Sequence, residues 1–115
     1  MKEVFRQWLD QLPATPGVLA CGVRFADRSN VNRSWCEEFP DGALDNAWRC
    51  VADTFDVTRF HQLPDRRLRW VFSRHVLYCE KRADGIFLGL VTARDLAGED
   101  VSKLRQMMAD FHAVG

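Results

Sequence analysis

Phe5, Trp8, Leu9 and Leu12 recur at i, i+3, i+4 and i+7, the stripe of a helix with one buried side, and Pro13 stops it. This spacing predicts a helix over residues 2–12. Pro16 and Gly17 turn the chain, after which Leu19, Cys21, Val23 and Phe25 alternate with Val18, Ala20, Gly22 and Arg24 in a first strand that has one fully apolar face. Asp27, Arg28, Ser29 and Asn30 carry turn chemistry. Val31, Arg33 and Trp35 then alternate with Asn32, Ser34 and Cys36, as expected of a returning hairpin partner with a wetter face, which makes it an edge strand.

The period changes again after Pro40. Asp41 is a candidate N-cap, and Leu44, Ala47, Trp48, Val51 and Phe55 follow a helical spacing, so a helix is expected over about residues 41–55. Residues 56–66 show no clear period and read as a connection closed by a turn at Pro64 and Asp65. Three strands follow as a meander. Leu68, Trp70 and Phe72 alternate with Arg67, Arg69, Val71 and Ser73. Arg74 and His75 turn the chain, and Val76, Tyr78 and Glu80 alternate with Leu77, Cys79 and Lys81. After a turn at residues 82–85, the run Ile86 to Val91 is apolar on both faces, so it belongs at the sheet centre with cover on each side. Val101, Leu104, Met108 and Phe111 mark a final helix with Asp100 as its candidate cap. The order α-β-β-α-β-β-β-α describes a two-layer or three-layer α/β (α+β) fold with an antiparallel sheet.

With 115 residues, the chain is expected to form one domain over 1–115 that buries roughly two thirds of its unfolded surface. Sixteen Lys plus Arg balance sixteen Asp plus Glu, which removes the field that would steer nucleic acid or an anionic membrane. Thirteen of the cations are Arg, whose forked guanidinium suits carboxylate contacts at interfaces. The N-terminal residues lack the pattern of a secretory signal, and no apolar run approaches the roughly 18 residues of a membrane span, so the cytoplasm is the expected location. Cys21, Cys36, Cys50 and Cys79 form no CxxC pair and sit in apolar segments, which reads as small buried hydrophobes in a reducing compartment. His75 and Cys79 would share a strand face, but two ligands are too few for a metal site.

Catalytic chemistry finds no arrangement to stand on. There is no Gly-x-Ser-x-Gly elbow, and Gly85 to Gly89 lacks the length and the Lys of a phosphate loop. Glu37 with Glu38, and Glu99 with Asp100, lie in polar connections where solvated acids are the ordinary case. Neither catalytic, metal nor cofactor residues are assigned, and Arg6, Arg33 and Arg59 are not nominated as catalytic. The densest charged cluster is Asp65-Arg66-Arg67 with Arg69. Arg67 and Arg69 would share one strand face, either solvated or engaging an acidic partner or a sister subunit.

The order of elements, the run Pro16-Gly17-Val18-Leu19-Ala20, and the later segments Leu68-Arg69-Trp70-Val71-Phe72, Val76-Leu77-Tyr78 and Gly85 to Val91 resemble the roadblock family. That family includes dynein light chains and bacterial partners of small Ras-like GTPases. The resemblance implies a profilin-like, five-stranded antiparallel sheet with the first and last helices on one face and the middle helix on the other. It also implies a homodimer made by pairing third strands across a two-fold axis with the middle helices alongside, which brings Leu68, Trp70 and Phe72, with Trp48 and Phe55, to the vicinity of the interface. The alternative is that these aromatics are intramolecular core. Family members commonly carry a glycine turn between the first two strands, whereas this chain has Asp27-Arg28-Ser29-Asn30, so the hairpin is expected to differ there.

The function implied is a non-catalytic dimeric regulatory or scaffolding subunit, with a small Ras-like GTPase as partner. The alternative is a small-molecule sensor of PAS-like architecture, which needs a ligand-sized cavity with polar groups among apolar ones. Trp8, Trp48 and Trp70 suggest instead that such space is filled.

Overall fold

In a computed structural model that describes residues 2–61 and 66–115, the elements run α1 (Lys2–Gln11), β1 (Val18–Arg24), β2 (Asn30–Ser34), α2 (Asp41–Phe60), β3 (Arg67–Val71), β4 (His75–Lys81), β5 (Phe87–Ala93) and α3 (Gly98–Ala113). The expected order is realised in full. The sheet is antiparallel throughout, in the order β2-β1-β5-β4-β3, so the doubly apolar β5 occupies its centre and β2 and β3 form its edges. Alternation along each strand sends Cys21, Val23, Leu88 and Leu90 to one face, where Phe5 and Leu9 of α1 and Leu104, Met107, Met108 and Phe111 of α3 cover them. Ala20, Leu77, Cys79, Phe87 and Val91 face the other way, beneath Leu44, Trp48, Val51 and Phe55 of α2.

Trp48 explains why two strands need glycine at one level. Gly22 of β1 and Gly89 of β5 are direct cross-strand partners, and the fully buried indole lies on the bare backbone they leave. A Cβ on Gly89 would stand 2.7 Å or less from three indole carbons. The indole Nε1 donates to Asn32 Oδ1 at 2.8 Å, and Asn32 Nδ2 donates in turn to Asp45 Oδ1 at 2.8 Å, so β2 is tied to α2 by a satisfied polar chain.

Two arginines close the other layer. Arg33 of β2 donates through Nη1 to the carbonyls of Leu9, Asp10 and Leu12 at 2.6–2.7 Å, and Arg82 donates to those of Phe111 and Val114 at 3.3 and 2.6 Å. α1 has no basic residue in its last turn, so the sheet supplies the cation that its orphan carbonyls and negative dipole end require.

Three details differ from the sequence reading, and a fourth expectation is not tested. α2 continues five residues beyond Phe55, supported by Thr58 Oγ1 donating to Phe55 O at 2.9 Å and an Arg59–Asp56 pair at 3.4 Å; the β-branched Val57 and Thr58 mask the helical period there. The turn assigned to Pro64 and Asp65 lies outside the described residues. Pro40 and Ala97, in extended conformation, occupy the caps expected at Asp41 and Asp100, which instead sit in the first turns, where a carboxylate opposes the positive dipole end. Cys21 and Cys79 are buried as expected, but Cys36 is half-buried and Cys50 is exposed.

Candidate interaction site

Among the described residues β3 pairs only with β4, so one of its edges is open. Phe72 N donates to His75 O at 2.8 Å, and Lys81 N donates to Arg66 O at 2.7 Å. Alternation in an antiparallel ladder therefore turns the backbone N–H and C=O of Arg67, Arg69 and Val71 outward, the hydrogen-bonding side of a strand without a neighbour. The opposite edge, β2, is blunted by its polar sequence Asn30-Val31-Asn32-Arg33-Ser34.

The faces of β3 are divided by charge. Leu68 and Trp70 point toward α2 and are partly buried against its core. Between α2 and β3–β4 runs an open groove of about 690 Å³, whose walls include Ala43, Ala47, Cys50, Trp70, Phe72 and Leu77. Its polar groups are few: Thr54, and at one end His75, which stands edge-on to Phe39 at 5.0 Å and 3.9 Å from Glu38. Phe72 is 55% exposed and Val71 53%, and at the far end of α2 Val57 and Phe60 are exposed as well. The groove corrects the expectation that Trp8, Trp48 and Trp70 fill this space. Trp48 fills the sheet depression and Trp8 packs on Phe111, which leaves only Trp70 on the groove wall.

On the opposite face, Arg67 and Arg69 do lie side by side, but both have intramolecular contacts. The Arg67 guanidinium is bidentate on Glu80 at 2.6 and 3.2 Å, and Arg69 stands over the Tyr78 ring at 5.7 Å. Glu80 is buried and also meets His112 Nε2 of α3 at 2.9 Å. Burial opposes its ionisation, yet the hydrogen bonds and charge of Arg67 and His112 prevail and hold its carboxyl below the usual range.

Of the seven residues expected near an interface, Arg67, Leu68, Arg69, Trp70 and Phe72 thus gather on β3 and its continuation. Trp48 and Phe55 do not reach the surface. At 0% and 2% exposure they are core, the alternative reading, because their helical stripe is the one α2 turns onto the sheet. The sequence reading missed Val71, Cys50 and Phe39, which complete the exposed apolar band and the groove walls.

No family model matches the sequence, and no curated protein matches it. Solved structures do match. MglB of Myxococcus xanthus superposes with a TM-score of 0.64 at 6% identity, over 84% of this chain and 81% of that one. A roadblock/LC7 domain from Streptomyces avermitilis gives 0.56 at 12% identity, over 98% and 95%. MglC of Myxococcus xanthus gives 0.54 at 20% identity, over 96% and 98%. Likenesses at such identities speak for the backbone alone, and on that ground the chain has the roadblock fold.

Proposed function

We propose that this protein is a non-catalytic regulatory or scaffolding subunit that works as a homodimer, with a small Ras-like GTPase as its partner. The observation that carries the dimer is the open β3 edge beside an apolar groove. A second copy adding its own β3 would satisfy the outward N–H and C=O groups of Arg67, Arg69 and Val71 and cover Phe72 and the groove. The GTPase reading is supported by the resemblance of the sequence to a family that contains such regulators, and by the fold shared with MglB and MglC.

The test begins with light scattering of the purified protein and of Phe72→Asp. The expected result is a dimer for the parent and a monomer of unchanged circular dichroism for the variant. Capture from lysate of its own source, with excess GDP or a non-hydrolysable GTP analogue, then reports the partner. Retention of a GTPase of about 20 kDa in one nucleotide state only, reproduced with the purified GTPase, supports the reading, and indifference to nucleotide refutes that half of it.

The groove volume also keeps the sensor reading in play, since about 690 Å³ is ligand-sized. A monomeric parent protein would favour that reading, because the groove would then be open to a small apolar molecule.

A further inference from the structure

A second concavity lies on the other flank of α2. It measures about 520 Å³ and is bounded by the C-terminal half of α2 and by the ends of β1, β4 and β5. Although the chain carries no net charge, five cations converge here, Arg24, Arg28, Arg49, Arg59 and Lys81, against two carboxylates, Asp53 and Asp56. The sheet register explains the convergence. Arg24 and Lys81 both pair directly with Phe87, so the two cations flank that ring on the face α2 covers. α2 brings Arg49, Asp53, Asp56 and Arg59 to the opposite wall at helical spacing.

The β1–β2 turn contributes the fifth cation in an unusual way. Phe25 N donates to Ser29 O at 2.8 Å and Arg28 N to Phe25 O at 3.0 Å, which makes a three-residue loop whose last residue must be left-handed. Glycine serves that position without strain, yet here it is Arg28, at φ 75°, and among the described residues it is the one residue other than glycine with positive φ. The left-handed backbone thus carries a long cationic side chain at the rim of the cleft, at a cost in strain that glycine would not incur. Neither the Arg24 nor the Arg28 guanidinium has a hydrogen-bond or ion-pair partner among the described residues.

We propose that this cleft binds a small phosphate-bearing anion, its oxygens held by Arg24 and Arg28 with Arg49, Arg59 and Lys81 around them. The concavity has the size of a small-molecule site rather than the flatness of a protein contact. A phosphate chain supplies several acceptor oxygens within reach of guanidinium forks on both walls. The floor is formed by the buried rings of Phe55 and Phe87, which limits water beneath the cations and strengthens their field. Asp53 and Asp56 leave an excess of three positive charges, and Asp56 holds Arg59 in place at 3.4 Å. The cleft is independent of the dimer reading, because Ala43, Ala47 and Cys50 line the groove whereas Arg49, Asp53 and Asp56 line the cleft.

Titration calorimetry of the full chain at low salt, with sodium tripolyphosphate, ATP and an Asp/Glu-rich peptide as probes, tests the site. Tripolyphosphate is expected to bind, more weakly as salt rises, and about tenfold or more weakly still in Arg24→Gln and Arg28→Gly. Arg28→Gly is also expected to melt at a higher temperature than the parent, since glycine relieves the left-handed position, so its loss of binding cannot be ascribed to unfolding. Arg28→Lys should keep most of the binding. ATP binding more tightly than tripolyphosphate assigns a nucleotide, and equal binding assigns the phosphate chain alone. Silence of both phosphate probes, phosphate binding that ignores the two variants, or binding of the peptide alone would overturn the proposal.

Discussion

Gly89→Ala adds one methyl group, and the structure says where it goes. The new Cβ would lie 2.7 Å or less from Trp48 Cζ3, Cη2 and Cε3, all of them ring atoms of a residue with no exposed surface. Relief requires the indole to move by about 1.3–1.8 Å to regain van der Waals separation. Gly22 lies under the other end of the same ring, so a tilt only transfers the clash. Moving the ring also threatens the 2.8 Å bond from Nε1 to Asn32. Overpacking of a filled core costs about 1–3 kcal/mol, and a strained or lost buried hydrogen bond about 1–3 kcal/mol more. A loss of about 2–6 kcal/mol is therefore expected, a large part of the roughly 5–15 kcal/mol that stabilises a domain. Gly42→Ala is the matched control: it makes the same chemical change in the first turn of α2, where a Cβ meets nothing within 4 Å. It should gain up to about 1 kcal/mol from the reduced freedom of the unfolded chain. Urea titration followed by circular dichroism reads both. Combining Gly89→Ala with Trp48→Phe should lose less than the sum of the two single changes, since the smaller ring gives the methyl room. If Gly89→Ala melts within about 0.5 kcal/mol of the parent, the range of an ordinary surface change, the account of the Trp48 seat is wrong.

Arg33→Ala removes the guanidinium donor shared by the carbonyls of Leu9, Asp10 and Leu12 at the end of α1 and is expected to cost about 1–3 kcal/mol, whereas Arg105→Ala, at an exposed position of α3, should cost within about 0.5 kcal/mol by the same denaturation assay. Because the folded Glu80 carboxyl sits below its ordinary value of 4.5, its contribution is present above that pH and is lost as pH falls through the folded value. Glu80→Gln should therefore flatten the decline of stability between pH 5 and more acid conditions, while lowering stability at pH 7; an unchanged acid limb would exclude Glu80 as a source of that decline. Iodoacetamide at pH 8 should label Cys50 quickly and leave Cys21 and Cys79 unmodified in the native state, since burial raises both thiols, Cys21 to about 12, and shields them; peptide mapping by mass spectrometry would show any other order.

The fold was legible because each element declares itself through a local period. Phe5, Trp8, Leu9 and Leu12 can satisfy only a helix face, and Ile86 to Val91 can satisfy only a strand covered on both sides. Boundaries were less legible where local signals conflict, as at Val57 and Thr58, whose branched side chains disguise the last turn of α2. The interaction edge was legible in part. Alternation in Arg67-Leu68-Arg69-Trp70 separates two faces, but it does not say which aromatic a helix will cover, so Trp48 and Phe55 looked available when their stripe was already committed to the sheet. The basic cleft was invisible for a different reason. Arg24, Arg28, Arg49, Arg59 and Lys81 are scattered over nearly sixty residues, and only strand register and helix placement bring them together. Net charge, a sum over the whole chain, conceals such a local excess.

The central position of β5 governs how the chain must assemble during synthesis. β1–β2 and β3–β4 are hairpins that close locally, but no backbone ladder joins them until the last strand arrives between β1 and β4. At about 5–20 residues per second, several seconds separate the completion of β1 from the emergence of β5. Through that interval the apolar edge of β1 stands open beside an indole with no complete seat. Long-range closure of this kind slows folding and leaves strand edges exposed to other chains. A nascent chain stalled before Phe87 would hold two hairpins without a continuous sheet, so a late nonsense mutation should yield an aggregating fragment rather than a shorter working protein.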